Sequence, residues 1–166
     1  MKTFTQTGKY LFRYRAAIAA VFFIVLVVFA KPVSSVIAHI LVLTGIALRL
    51  WAAGYIGPGA RKYEFYAEHR ISNGPYRILK HPLYIGNFFL VLGVIILHNP
   101  PQWLGLFYIL AFIVVYSLIA ISERHYLKGK SEIETSYRFI NLKGEISTLI
   151  VMAVIYVVWF LLMVRS

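Results

Sequence analysis

The sequence GPYRILKHPLYIG, residues Gly74–Gly86, joins a basic loop to an apolar stretch. Proline suits the first turn of a helix, whereas the residue before a proline disfavours helical geometry. We therefore predict that a helix begins at Pro82 and that His81 lies just outside it. Polar side chains at such a helix mouth can face water or a protein-lined cavity, and they indicate either a functional site or an interfacial anchor of Lys, Arg and Tyr.

Apolar stretches on both sides of this segment predict a polytopic integral membrane protein. The 166 residues are 60% hydrophobic with a mean hydropathy of +0.75, which is too apolar for a soluble domain. Leu83–Leu97 is short, about 22 Å as a helix. Four other stretches are long enough, or nearly so, to span a bilayer: Ala16–Ala30, Val36–Ile56, Leu104–Ile121 and Ser147–Val164. We expect an all-α fold with five transmembrane helices in a single membrane-embedded domain, residues 1–166.

The net charge of +11 does not predict nucleic-acid binding, because the 17 Lys and Arg residues follow the predicted spans. The N-terminal arm carries four, the Gly57–His81 loop five and the Glu123–Ile146 loop five. The first connection carries only Lys31, and the His98–Gln102 turn carries none. The positive-inside rule then puts the N-terminus and both long basic loops in the cytosol, and the C-terminus outside.

The absence of two residue types narrows the chemistry of the chain. There is no Cys, which excludes thiolate nucleophiles and thiolate metal sites, and no Asp, which leaves six Glu as the only carboxylates. The His spacings match no metal-binding motif. We therefore expect no bound metal.

A hairpin of the third and fourth spans brings a carboxylate to the helix mouth. Counting back from the short His98–Gln102 turn puts Tyr84 level with about Tyr116, and Glu123 at the same cytosolic end. A helix N-terminus, a His, aromatic faces and a carboxylate suit a zwitterionic cofactor that carries adenosine, such as S-adenosylmethionine. Methyl transfer mainly needs alignment and exclusion of water, so few catalytic side chains are required. Composition alone does not single out this cofactor.

The pattern Gly-Pro-Tyr-Arg-x-x-Lys-His-Pro-x-Tyr-x-Gly at Gly74–Gly86 closely resembles the signature of the isoprenylcysteine carboxyl methyltransferase family and its phospholipid methyltransferase relatives. Gly45–Ala52 is also similar to the second-helix pattern of that family, and the resemblance covers residues 45–127. It implies one methyltransferase-like membrane domain, with S-adenosylmethionine in a pocket that faces the cytosol and a lipophilic acceptor that enters from the bilayer.

The resemblance also implies which residues form the site. By position, the cofactor contacts would be Glu68, His69, Arg70, Ile71, Tyr76, His81, Pro82, Leu83, Tyr84 and Glu123. Family members usually have paired glutamates at the end of the following helix, where this chain has Glu123-Arg124. Eukaryotic members have a substrate-binding arginine one turn earlier, where this chain has Ile119. No catalytic side chain is identified by sequence.

The acceptor is expected to be a membrane lipid other than a prenylated protein C-terminus, because Ile119 cannot pair with a carboxylate. Arg124 is the first candidate to bind its anionic or zwitterionic headgroup, since Arg binds phosphate and carboxylate bidentately. Arg49, inside the second span, is either a second substrate-binding residue or a cation whose side chain snorkels to the interface.

We predict an S-adenosylmethionine-dependent methyltransferase that acts on a lipophilic acceptor in the bilayer, at oxygen or at nitrogen. Two alternatives stay open: an NADPH-dependent membrane reductase of related fold, and a non-catalytic membrane module that binds lipid or a partner. We expect the protein in the cytoplasmic membrane of a bacterium or archaeon, or in the endoplasmic reticulum of a eukaryote.

Overall fold

The protein is built from helices in this computed structural model, which describes residues 2–56 and 69–165, without the side chains of residues 2–6 and 9. The long helices are α1 (Lys2–Val28), α2 (Val36–Ile56), α4 (Pro82–His98), α5 (Gln102–Tyr126) and α6 (Ile146–Arg165). The connecting segments contain β1 (Arg70–Ile71), the short helix α3 (Pro75–Ile78), β2 (Glu132–Ile133) and a 3-10 helix (Phe139–Glu145).

By length and composition, four helical segments of the described chain can cross a membrane: Tyr10–Val28, Val36–Ile56, Gln102–Tyr126 and Phe139–Arg165. The helix α4 is apolar but has only 17 residues. The all-α membrane protein predicted from the sequence is therefore confirmed. That α4 completes a fifth span stays a prediction.

The helices differ from the predicted apolar stretches at their polar ends. The helix α1 already includes the basic arm before Ala16, and α5 continues beyond Ile121 to Tyr126. The reason is that hydrophobicity marks the length of chain suited to lipid, whereas a helix ends where its backbone hydrogen bonds end. The start of α4 at Pro82 is confirmed, and the helix ends at His98, followed by Asn99 in a left-handed conformation with φ 43°.

Hydrogen bonds between the connecting segments group them at two opposite ends of the molecule. The Lys31 N–H donates to the His98 carbonyl at 2.9 Å, so the α1–α2 connection lies beside the α4–α5 turn. At the other end β1 and β2 pair in parallel, and the Arg138 N–H donates to the Gly54 carbonyl at 3.0 Å. We call this second end the basic end, because both long basic loops meet there. Which side of the bilayer it faces stays a prediction.

The helices α2 and α4 approach closely where two glycines face each other. A methyl group added at Gly45 would lie 2.8 Å from the Gly86 carbonyl oxygen, and one added at Gly86 would lie 2.6 Å from Cγ of Arg49. Small residues at a crossing let membrane helices pack through van der Waals contact, since no hydrophobic effect drives them together in lipid. This contact fixes the first turns of α4 against α2.

The helix α5 packs against α1 through two apolar clusters. One joins Phe12 to Ile119, which is fully buried, and the other joins Leu26 to Leu104 and Tyr108. Together these contacts fix α5, so that its last turns lie beside the start of α4.

Candidate active site

Side chains from two helices meet at the start of α4, on one oxygen of Glu123. The Tyr84 hydroxyl donates to Oε2 of Glu123 at 2.9 Å, and Nδ1 of His81 lies 3.3 Å from the same oxygen. Glu123 follows Tyr84 by 39 residues and belongs to the last turns of α5. The His81 side chain is 33% exposed and that of Glu123 is 25% exposed, so a ligand can reach both. We call His81, Tyr84 and Glu123 the mouth cluster.

Aromatic contacts hold Tyr84 from two sides. The His81 and Tyr84 rings are stacked, with centroids 5.2 Å apart and planes 8° apart. The Tyr116 ring meets Tyr84 edge-on, at 5.2 Å and 67°. The predictions that Tyr84 lies level with Tyr116 and that Glu123 lies at the same end are therefore confirmed.

The backbone places His81 just outside the helix. Its carbonyl accepts hydrogen bonds from the N–H groups of Tyr84 at 3.1 Å and Ile85 at 3.2 Å. Pro82 is buried at the first helical position, and Leu83 is half-buried beside it. The His81 side chain consequently lies at the positive end of the α4 dipole, which suits a negative group.

Tyr76 comes to the same region from α3. Its hydroxyl donates to the Ala52 carbonyl of α2 at 3.4 Å. Burial raises the pKa of Tyr76 well above its usual range, and the negative charges of Glu123 and Glu145 raise it further. The phenol is therefore a neutral hydrogen-bond donor within electrostatic reach of two carboxylates.

The other predicted cofactor contacts from the first basic loop lie in or beside β1. Glu68 is outside the described residues. Nδ1 of His69 is hydrogen-bonded to the Ser131 hydroxyl at 2.7 Å, Arg70 forms an exposed ion pair with Glu132 at 3.2 Å, and Ile71 pairs with Ile133. These residues join the two basic loops, and their contact with a cofactor stays a prediction.

Arg49 forms a buried ion pair with Glu145, the last residue of the 3-10 helix. Nε donates to Oε2 at 2.9 Å and Nη2 to Oε1 at 3.0 Å, so the contact is bidentate. Nη2 also donates to the Thr148 hydroxyl at 3.2 Å, and Nη1 donates to Oδ1 of Asn87. Arg49 is 8% exposed and Glu145 3%. The Arg49 side chain is therefore held by protein groups, and its binding of a substrate stays a prediction.

Two hydrogen bonds and one ring contact connect this ion pair to the mouth cluster. Nδ2 of Asn87 donates to the Tyr116 hydroxyl at 2.8 Å, and the Tyr116 ring contacts Tyr84. We call Glu145, Arg49, Asn87 and Tyr116 the buried polar chain. The contacts of Glu145 and Asn87 were not predicted from the sequence. The available signal was Asn87 itself, a polar residue in an apolar helix and three residues from Tyr84, hence on the same face.

Arg124 is exposed at the basic end, next to Glu123. It lies in the last turn of α5, where a cation is favoured by the helix dipole. Its predicted contact with a headgroup is untested by this geometry. In the part of the chain that the structure describes, no three His, Asp or Glu side chains are grouped to hold a metal ion.

Comparison with known proteins identifies the family. A family model described as phospholipid methyltransferase matches residues 33–130, which include α2, α4, α5 and the whole mouth cluster. No curated protein matches the chain, and no solved structure matches it. The family match covers more than half of the 166 residues and confirms the resemblance seen in the Gly74–Gly86 signature. The chain belongs to the phospholipid methyltransferase family, and it is an integral membrane protein of a methyltransferase family.

Proposed function

We propose that the protein transfers a methyl group from S-adenosylmethionine to a lipophilic acceptor resident in the membrane, and that residues 1–166 form one domain for this reaction. The family supplies the reaction class. The proposed location of the cofactor site rests on one observation: His81 and Tyr84 converge on Oε2 of Glu123, where α4 begins.

The mouth cluster offers a group for each part of the cofactor. Among the described residues, the polar contacts of the Glu123 carboxylate fall on Oε2, which leaves Oε1 as an acceptor for the ribose hydroxyls. Beside the cluster, the aromatic face of Tyr76 suits the sulfonium, because a cation is attracted to a ring face. The N-terminus of α4 suits the methionyl carboxylate. When bound, the cofactor supplies an electrophilic methyl group.

The protein side chains have a positioning task in this reaction. A displacement at carbon requires the reacting atoms to be aligned at about 3 to 3.5 Å. Tyr84 is fixed by His81, Tyr116 and Glu123, so the surface against which the cofactor packs has one geometry. An oxygen acceptor that is already anionic needs no base, whereas an ammonium group must first lose a proton, and Glu123 is the carboxylate at the mouth that could take it.

The acceptor that this site suits is a lipid with an anionic or zwitterionic headgroup. Arg124 is exposed beside Glu123 and can bind a phosphate or carboxylate bidentately. Ile119 is fully buried against Phe12, so this position offers no cation to the carboxylate of a prenylated cysteine. The lipid tail would stay among the apolar helices while the headgroup meets the methyl donor.

The test is transfer of a labelled methyl group by purified protein. The protein is incubated with methyl-labelled S-adenosylmethionine and, in parallel, with total membrane lipid or a prenylcysteine analogue. We expect label in the lipid only, and mass spectrometry of the product shows whether oxygen or nitrogen is methylated. Glu123→Gln should lower the rate by about 10-fold to 150-fold, the effect of losing a hydrogen bond to a charged group.

The matched control is Glu134→Gln, which changes an exposed glutamate of the second basic loop and should leave the rate unchanged. Label in the prenylcysteine analogue alone would refute the proposed acceptor. Label in neither would refute the methyl transfer itself.

A further inference from the structure

Glu145 lies beyond the family match at residues 33–130, yet its carboxylate forms the ion pair with the buried Arg49. We infer that Glu145 is a positioning residue: through Arg49, Asn87 and Tyr116 it fixes the orientation of Tyr84 in the mouth cluster. This inference rests on the proposed methyl transfer.

The first step is the orientation of the Arg49 guanidinium. A cation inside a membrane protein is tolerated when its donors are satisfied by partners, and Glu145 and Thr148 satisfy one side of Arg49. The bidentate contact fixes the plane of the guanidinium, because two parallel hydrogen bonds allow one geometry. Glu145 therefore decides where Nη1 of Arg49 lies.

The second step is the orientation of the Asn87 amide. An amide has one accepting oxygen and one donating nitrogen, whereas a guanidinium can only donate. Because Nη1 of Arg49 occupies the oxygen side of Asn87, the amide nitrogen must lie on the other side, where it donates to the Tyr116 hydroxyl at 2.8 Å. Without Arg49, the Asn87 amide loses the contact that distinguishes its two ends.

The third step runs from Tyr116 to the mouth. The Tyr116 ring contacts Tyr84 edge-on with centroids 5.2 Å apart, and Tyr84 in turn donates to Glu123. A change in Tyr116 therefore removes the support on one side of Tyr84. Since alignment is the main requirement of methyl transfer, we expect such a change to act on kcat more than on substrate binding.

The buried polar chain thus links the segment before α6 to the mouth cluster. The residues in this chain come from α2, α4, α5 and the 3-10 helix. The alternative is that the ion pair only stabilises the fold. A buried ion pair can often be replaced by apolar residues without loss of stability, so the two roles can be separated in a folded variant. If the role is stability alone, that variant should keep a normal kcat.

The main test is the double variant Arg49→Met/Glu145→Met, which removes both charges. We expect it to fold, with kcat for methyl transfer about 10-fold to 100-fold lower and with KM for the lipid little changed. The second variant, Asn87→Leu, leaves the ion pair in place and removes its link to Tyr116. We expect a similar loss of kcat, and little further loss when it is combined with the double variant, since both interrupt one chain of contacts.

The matched control is Thr44→Val, which removes an exposed side-chain hydrogen bond to the Ile40 carbonyl, in the same helix as Arg49 but outside the buried polar chain. We expect its kcat to match that of the unaltered protein. Thermal unfolding of all variants separates loss of fold from loss of positioning.

A readout that needs no activity is the 19F spectrum of protein labelled with 3-fluorotyrosine, in which Tyr116→Phe assigns the Tyr116 signal. We expect this signal to move or broaden in the double variant and in Asn87→Leu, and to stay unchanged in Thr44→Val. A normal kcat in Asn87→Leu or in a folded double variant would overturn the inference, as would an unchanged Tyr116 signal. If the unaltered protein transfers no methyl group, the proposed function fails, and the 19F signal still decides whether Glu145 positions Tyr116.

Discussion

At the scale of the single residue, Tyr76 and Tyr84 differ in their hydrogen-bond partners. Its hydroxyl reaches the Ala52 carbonyl of the neighbouring helix, and its environment is shaped by Glu123 and Glu145 together. Burial and these two negative charges raise the pKa of Tyr76, so the group near both carboxylates is a neutral donor and not a third anion. This keeps like charges from accumulating at the site.

The raised pKa of Tyr76 predicts how stability depends on pH. In the unfolded chain the phenol loses its proton near pH 10, whereas in the folded protein it keeps the proton to higher pH. Above about pH 10 the folded state binds more protons, so the free energy of unfolding falls as pH rises. We expect the unaltered protein to lose more thermal stability between about pH 9 and pH 11 than Tyr76→Phe does. Equal losses in the two proteins would contradict this account of Tyr76.

At the scale of elements, the crossing of α2 and α4 at Gly45 and Gly86 is a close backbone contact. Because Arg49 packs against Gly86, this crossing sets both the helix separation and the position of the buried ion pair. The crossing therefore supports the site as well as the fold.

Gly86→Ala tests the crossing. The added methyl group would lie 2.6 Å from Cγ of Arg49 and 3.1 Å from the Gly45 carbonyl oxygen, so the helices must separate. We expect a loss of about 1 to 3 kcal/mol in stability, typical of overpacking, measured by thermal unfolding in detergent. The control is Gly105→Ala in α5, where the new methyl group meets only Ile95, at 3.3 Å. Alanine favours a helix over glycine by about 1 kcal/mol, so this control should be close to neutral. Equal destabilisation of the two variants would show that the crossing has no special role.

Features of the helices that follow from regular helix geometry were predicted from the sequence. The start of α4 follows from Pro82, and the approach of Glu123 to Tyr84 follows from the constant rise of two helices joined by a short turn. Pairing of β1 with β2 was not predictable, since two-residue strands carry no alternating pattern. Glu145 was not assigned to Arg49 because the path of the intervening loops, unlike that of a helix, has no fixed rise per residue.

At the scale of the whole molecule, the candidate site lies at the basic end. The mouth cluster, the β1–β2 pair and the 3-10 helix all lie there, whereas the long helices expose many apolar side chains along their length. Exposed apolar helices suit a bilayer, and a polar mouth at one end suits a water-soluble cofactor that meets a lipid. Composition predicted the first feature. The polar mouth was predicted from the start of α4 and the position of Glu123, whereas the ion pair of Arg49 and its link to Asn87 needed the tertiary contacts.

The most direct test of the central claim is titration of the purified protein with S-adenosylhomocysteine, with NADPH in parallel. We predict that S-adenosylhomocysteine binds and NADPH does not. His81→Ala, Tyr84→Ala and Glu123→Ala should each weaken binding by about 10-fold to 150-fold, while Glu134→Ala, at an exposed position of the second basic loop, binds like the unaltered protein. Unchanged affinity in all three mouth variants, or binding of NADPH alone, would contradict the account.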